Sequence, residues 1–144
     1  MQNKTKIELP EREIKFRAWD RVAKKMYFVE GIDWSKTNEI ITDVYHNIDI
    51  SGTIDSPVLM QFTGLHDKNG KEIYEFDIVS VVGDKFVVLW VSCGFQFVDI
   101  WTNAKSIKSE EILELYNKGV SIKVIGNIFE NSDLLNDYEK PKQN

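Results

Sequence analysis

The chain has a single cysteine, Cys93, and only two histidines and three prolines among its 144 residues. One cysteine excludes an intrachain disulfide and any zinc site built on cysteines. No run approaches about eighteen uncharged apolar residues, so no segment is expected to span a membrane. The opening MQNKTKIELPEREIKF has no long apolar stretch, so no signal peptide is expected and the reading is of a cytoplasmic protein. Without a secretory signal, Asn3-Lys4-Thr5 is a chance match to a glycosylation acceptor. The phosphate-cradling patterns G-x-x-x-x-G-K-S/T and G-x-G-x-x-G are absent, and so is the nucleophile pattern G-x-S-x-G.

Aromatic side chains are plentiful: eight Phe, five Tyr and four Trp. They favour strands over helices, because they fit a pleated, half-buried surface. Apolar residues make up 42% of the chain, enough for one well-formed core in one domain. The net charge of −5 gives no global attraction for nucleic acid or an anionic membrane. Its distribution is uneven. Residues 1–27 carry eight bases (Lys4, Lys6, Arg12, Lys15, Arg17, Arg21, Lys24, Lys25) against four acids (Glu8, Glu11, Glu13, Asp20), so they are at +4 and the remainder is at −9. The simpler reading is a strand and turn with solvated cations. The sharper ones are a basic patch, or an arm that meets the acidic face of a second copy.

The stretch Leu59 to Val79 holds the strongest local signal. Asn69-Gly70 lies between two arms that can pair, the mark of a hairpin closed by a two-residue type I′ turn. Upstream, Glu13 to Trp19 alternates, with Ile14, Phe16 and Ala18 on one face and Lys15, Arg17 and Trp19 on the other. A polar turn at 20–25 leads to a returning strand, Met26 to Val29, that Gly31 breaks. Further strands are expected at Glu39–Val44, Val58–Thr63, Ile73–Val82, Phe86–Val91, Phe95–Trp101 and Val120–Phe129. The punctuation around 46–57 reads as a mobile or variable connection. Tight turns are expected at Gly83-Asp84 and Ser92-Cys93-Gly94. The spacing predicts one helix over Ser109–Lys118, capped by Ser109 and closed by Gly119, with Ile112, Leu115 and Tyr116 on one face. A further short turn is expected through Leu134 and Leu135. Short consecutive strands suggest a meander curling into a small barrel. Residues 1–11 read as a flexible lead-in, 12–136 as a single β domain and 137–144 as a frayed tail.

Candidate chemistry is thin. Cys93 with His46 or His66 can be drawn as a dyad, but no motif surrounds it. Asp67 to Glu72 fails the calcium-loop spacing: with Gly70 at position 6, Leu65 falls at 1 and Phe76 at 12. Glu75 and Asp77 share a face of a continuous strand, which suits metal binding or acid–base work. The competing reading is that Asp77 accepts hydrogen bonds from turn amides and closes a corner of the barrel. Trp19, Trp34, Trp90 and Trp101 make a binding surface wherever they are exposed. Stacking on single-stranded nucleic acid would also need a basic groove, which only residues 12–25 supply.

Three blocks, REIKFRAWD (Arg12–Asp20), LMQFTGLHDKNGKEIYEFDIV (Leu59–Val79) and VIGNIFENSDLL (Val124–Leu135), resemble the YopX family of phage and prophage proteins. The middle block is specific: Gln61, Thr63, Gly64, Asp67, Asn69-Gly70, Ile73-Tyr74-Glu75 and Asp77-Ile78-Val79 fit its pattern. The family usually has Gly between the Glu and the Asp, where this chain has Phe76. Either the backbone there needs no Gly-only conformation, or a bulge is rearranged. The resemblance implies a mainly β fold with a small SH3-like barrel, added strands and one or two short helices. It implies an accessory protein of a phage or prophage and carries over no catalytic, cofactor-binding or metal-binding residues. The expectation is binding without catalysis and without a cofactor, to an unknown protein partner or a second copy. A nucleic-acid regulator using Arg12, Lys15, Arg17, Trp19, Arg21, Lys24 and Lys25 is the alternative. An enzyme built on Asp77, Glu75, His66 or Cys93 is the third reading. Asp67, Asn69, Gly70 and Asp77 are expected to be structural.

Overall fold

The computed structural model describes residues 11–33, 41–46, 50–53, 57–102 and 106–136. The lead-in up to residue 10, Trp34, the loop positions 47–49 and 54–56 and the tail 137–144 lie outside the described residues. The strands are β1 (Phe16–Asp20), β2 (Lys25–Asp33), β3 (Ile41–His46), β4 (Ile50–Thr53), β5 (Val58–His66), β6 (Glu72–Tyr74), β7 (Asp77–Val81), β8 (Asp84–Val91), β9 (Gly94–Val98), β10 (Ser106–Ile107) and β11 (Ile122–Asn127). One helix, α1 (Ser109–Asn117), precedes β11, and a 3₁₀ turn spans Ser132–Asn136. The fold is mainly β. A six-stranded sheet in the order β4-β3-β2-β1-β5-β6 and a five-stranded sheet in the order β10-β9-β8-β7-β11 divide the strands, and among the described residues neither closes into a barrel.

The turns of four of the hairpins, β1–β2, β5–β6, β7–β8 and β8–β9, show how their registers are set. In β1–β2 the Asp20 carboxylate accepts the Val22 and Ala23 amides at 2.8 and 2.9 Å, and Lys24 takes a positive φ of 56°. Gly31 does not end β2; the strand runs through it with a bulge between Val29 and Gly31. The Asn69-Gly70 hairpin forms, but not through a type I′ turn. The Gly70 amide donates to the Asp67 carbonyl and the Asp67 amide to the Lys71 carbonyl, and only Gly70, at φ 81°, is left-handed. That is a three-residue loop with Gly at the bulge position.

Type I′ turns close the next two hairpins, where tight turns are expected, although the first sits one residue ahead of Gly83-Asp84. β7 and β8 are joined by Val82-Gly83 (φ 50° and 85°), and β8 and β9 by Ser92-Cys93 (φ 52° and 67°). Valine is a poor occupant of the left-handed region, because its β-branch crowds the backbone. Val82 is exposed, so replacing it loses no packing. Val82→Asn is expected to stabilise the chain by about 1 kcal/mol, read as a higher denaturant midpoint with an unchanged slope.

The main core lies on one face of the five-stranded sheet. Val79, Val81, Phe86, Val88, Phe97, Ile122 and Val124 pack there with Ile73 of β6 and Ile112 of α1. The helix ends as its Gly predicts: Gly119 (φ 74°) donates to the Tyr116 carbonyl and Val120 to that of Leu115, the paired bonds of a Schellman motif. Its start differs. The cap is Lys108, without a side-chain hydrogen bond, and Ser109 is already helical. Leu115 packs on the core, but Tyr116 is exposed. Among the described residues no helix is long and apolar enough to cross a membrane.

Candidate functional site at the crossover between the sheets

Ile73 to Val82 reads as one strand but is two. The chain leaves the six-stranded sheet after Tyr74, turns at Glu75-Phe76, and enters the five-stranded sheet at Asp77. Glu75 and Asp77 therefore do not share a strand face. The turn is tied to both sheets. The Glu75 amide donates to the Gln61 carbonyl, and the Glu75 carboxylate accepts the Gln61 amide at 2.9 Å. The Phe76 amide donates to the Val88 carbonyl, and the Phe76 carbonyl accepts the Ile128 amide.

Phe76 has φ 64°. The backbone here adopts the left-handed conformation that favours glycine, at a φ that other residues reach at a cost. The ring compensates. It meets Phe129 edge-on at 5.7 Å between centroids, and Phe129 in turn stacks on Trp19 at 5.4 Å. Phe76→Ala removes the ring and keeps a side chain at positive φ, whereas Phe76→Gly removes the ring and relieves the backbone. Both are expected to destabilise, with the Gly variant the more stable of the two by about 1 kcal/mol. Equal or reversed midpoints in chemical denaturation would count against left-handed strain at this residue.

Asp77 is buried and accepts the Tyr74 amide at 2.8 Å through Oδ2. Its Oδ1 accepts Arg17 Nη2 at 2.6 Å. Arg17 also donates to the Glu75 carbonyl at 3.3 Å and lies 4.7 Å from the Tyr74 ring centroid, while its Nε has no hydrogen-bond partner. Burial pushes the Asp77 carboxyl above the ordinary range, against the pull of Arg17 and the Tyr74 amide. Beside the pair, Lys15 bridges Glu72 and Glu13, and those carboxylates raise its pKa. The Tyr74 hydroxyl donates to Glu72, and burial, then the Glu72 charge, pushes it up to about 12.

A second carboxylate pins the hairpin. Asp67 Oδ1 accepts the Asn69 and Lys71 amides at 2.8 and 2.9 Å, and Oδ2 accepts the Val124 amide at 3.0 Å. Burial acts to raise the Asp67 pKa, but the Val124, Lys71 and Asn69 amides together hold it below the ordinary value. At the other end of β11, Asn131 Oδ1 accepts the Asn127 amide, and a Cβ on Gly126 would fall 2.5 Å from that oxygen. The block VIGNIFEN is thus read by the fold as a close approach of glycine to an asparagine lock.

The structure separates the residues of the basic segment. Arg17 and Trp19 are buried, Lys15 is half-buried and ion-paired, and Arg12, Arg21, Lys24 and Lys25 are exposed. Trp19 and Arg17 share the β1 face turned toward Phe129 and Asp77, and Ala18 on the opposite face is buried as well, under Tyr27 and Val29, so both faces of β1 are covered at 17–19. A Trp alternating in register with the Arg was the available signal for this. The other readings scatter too. Cys93 is exposed in the β8–β9 turn, His66 is exposed with its ring 5.5 Å from that of Phe62, and the Glu75 and Asp77 carboxylates are occupied as described. Side-chain positions are not described for His46. Among the described residues no three of His, Cys, Asp and Glu gather as a metal site.

An exposed feature also emerged. Trp90, 50% exposed, is the cross-strand partner of Phe95, with the rings edge-on at 4.8 Å. Val91 is exposed beside it at the same end of the hairpin.

No curated protein matches the chain. Among solved structures it is similar to the crystal structure of protein EF1440 from Enterococcus faecalis, at 27% identity and a TM-score of 0.55, over 87% of this chain and 99% of that one. The family described as YopX protein matches residues 15–136, a span that holds the Arg17–Asp77 pair, the Asp67 hairpin and the asparagine lock, and the chain belongs to that family.

Proposed function

We propose that the protein works by binding another protein, without catalysis, through the aromatic end of the β8–β9 hairpin. The observation that carries this is the Trp90–Phe95 pair, with Trp90 half open to solvent near the β8–β9 turn. Exposed aromatics give large contact area at low entropic cost and dominate many interfaces. On this reading the chain is a phage or prophage accessory protein with an SH3-like barrel core, acting in the cytoplasm of its bacterial host. The test is photo-crosslinking from residue 90 in host cells, with Trp90→Ser and Phe95→Ser as comparisons. A specific protein crosslinked by wild type, and bound at least about tenfold more weakly by both variants, supports the reading. Absence of any specific protein, or binding indifferent to both variants, overturns it.

A further inference from the structure

A different surface carries a second inference. The tip of the β1–β2 hairpin exposes Val22 at 86%, flanked by the exposed cations Arg21, Lys24 and Lys25. The Asp20 carboxylate holds this loop in shape through the Val22 and Ala23 amides, so the apolar tip is preformed. The outer side of α1 is its chemical complement. Leu113 is 51% and Tyr116 41% exposed, and the exposed Glu110 has Leu113 and the exposed Glu114 as its i+3 and i+4 neighbours, Glu114 being paired with Lys118. The two surfaces carry opposite charge around an apolar centre, in a chain whose first 27 residues are at +4 and whose remainder is at −9.

We infer that the β1–β2 tip of one copy docks on the α1 face of a second copy. Val22 sits against Leu113 and Tyr116, and the cations face Glu110 and Glu114. Such a contact joins two different patches, so it is head-to-tail and propagates into a ring or a short chain of copies. A hairpin tip on one helix face is a small interface, so the association is weak, and its charge component is screened by salt.

Sedimentation of the full chain at low and high salt tests this, with charge reversal at each patch. Wild type is expected to associate at low salt and to weaken about tenfold or more at high salt. Lys24→Glu/Lys25→Glu should remain monomeric, as should Glu110→Lys/Glu114→Lys, with circular dichroism confirming that both are folded. The milder Glu110→Gln/Glu114→Gln keeps α1 intact if the reversal unfolds it, and should weaken association. Mixing the two reversed variants is expected to restore association, because each then meets its complement. Carbodiimide should couple Lys24 or Lys25 to Glu110 or Glu114 between isotopically distinct copies. A wild type monomeric at every concentration, association indifferent to both reversals, or a mixture that stays monomeric would overturn the inference.

Discussion

Arg17→Met is expected to cost about 3–5 kcal/mol, because it leaves the buried Asp77 carboxylate without its counter-charge. At the size of this domain that lowers the melting temperature by roughly 10 °C. Methionine keeps the apolar stem against Tyr74, so the loss reports the charge and not a cavity. Asp77→Asn leaves the guanidinium buried but retains an oxygen for the Tyr74 amide, and should cost less. The double variant should be more stable than the sum of the singles implies, by about 2 kcal/mol, since it leaves no unpaired charge inside. The pH dependence has a definite sign. Asp77 lies above its ordinary range in the folded state, and removing Arg17 drives it further up. A raised carboxyl binds its proton more readily folded than unfolded, so stability falls as pH rises through that window. The deficit of Arg17→Met relative to wild type should therefore be largest at neutral pH and shrink in acid. A deficit constant with pH, or strictly additive singles, would mean that the 2.6 Å contact carries no coupling.

The parts of this fold that could be read in the chain are those set by neighbouring residues. The Asn69-Gly70 hairpin, the helix stop at Gly119 and most strand positions follow from local pattern and turn chemistry. The turn at Glu75-Phe76 did not, because nothing in Phe announces a positive φ. The turns after β7 and β8 were legible as turns, from Gly83 and from Ser92-Cys93-Gly94, but the left-handed φ of Val82, Ser92 and Cys93 was not, because strand pairing imposes it on residues that disfavour it. β4 was hidden by Ser51 and Gly52, poor strand formers that nonetheless pair with β3. The candidate site was half legible. That Asp77 accepts a turn amide follows from its place after Glu75. Its partner Arg17 lies 60 residues away, and only the packing of β1 across the crossover brings them together. Exposure of Trp90 and burial of Trp19 were undecidable for the same reason, since both sit in alternating strands.

Asp67→Ala is expected to be the most damaging change at the hairpin, for a reason that reaches beyond the turn. Three amides, those of Asn69, Lys71 and Val124, lose their acceptor at once, a cost of about 3–4 kcal/mol. Two of them belong to the loop, but Val124 lies on β11, the edge strand of the five-stranded sheet. There Asp67 Oδ2 takes the Val124 amide, and the Lys68 amide fills the Ile122 carbonyl at 2.9 Å. The hairpin tip thus occupies the hydrogen-bonding groups that would otherwise recruit a foreign strand. Its loss should add concentration-dependent association to the loss of stability, visible as light scattering that grows before global unfolding. Asp67→Asn separates charge from shape. The wild-type carboxylate is held below its ordinary value, so the stability it contributes is present above the unfolded pKa of about 3.9 and is lost as pH falls through the lower folded value. An amide has no such titration. Denaturant unfolding across a pH series should show wild type losing stability below about pH 4 faster than Asp67→Asn, so that the gap between them closes in acid. Parallel curves would show that the charge of Asp67 contributes nothing to holding the β11 edge.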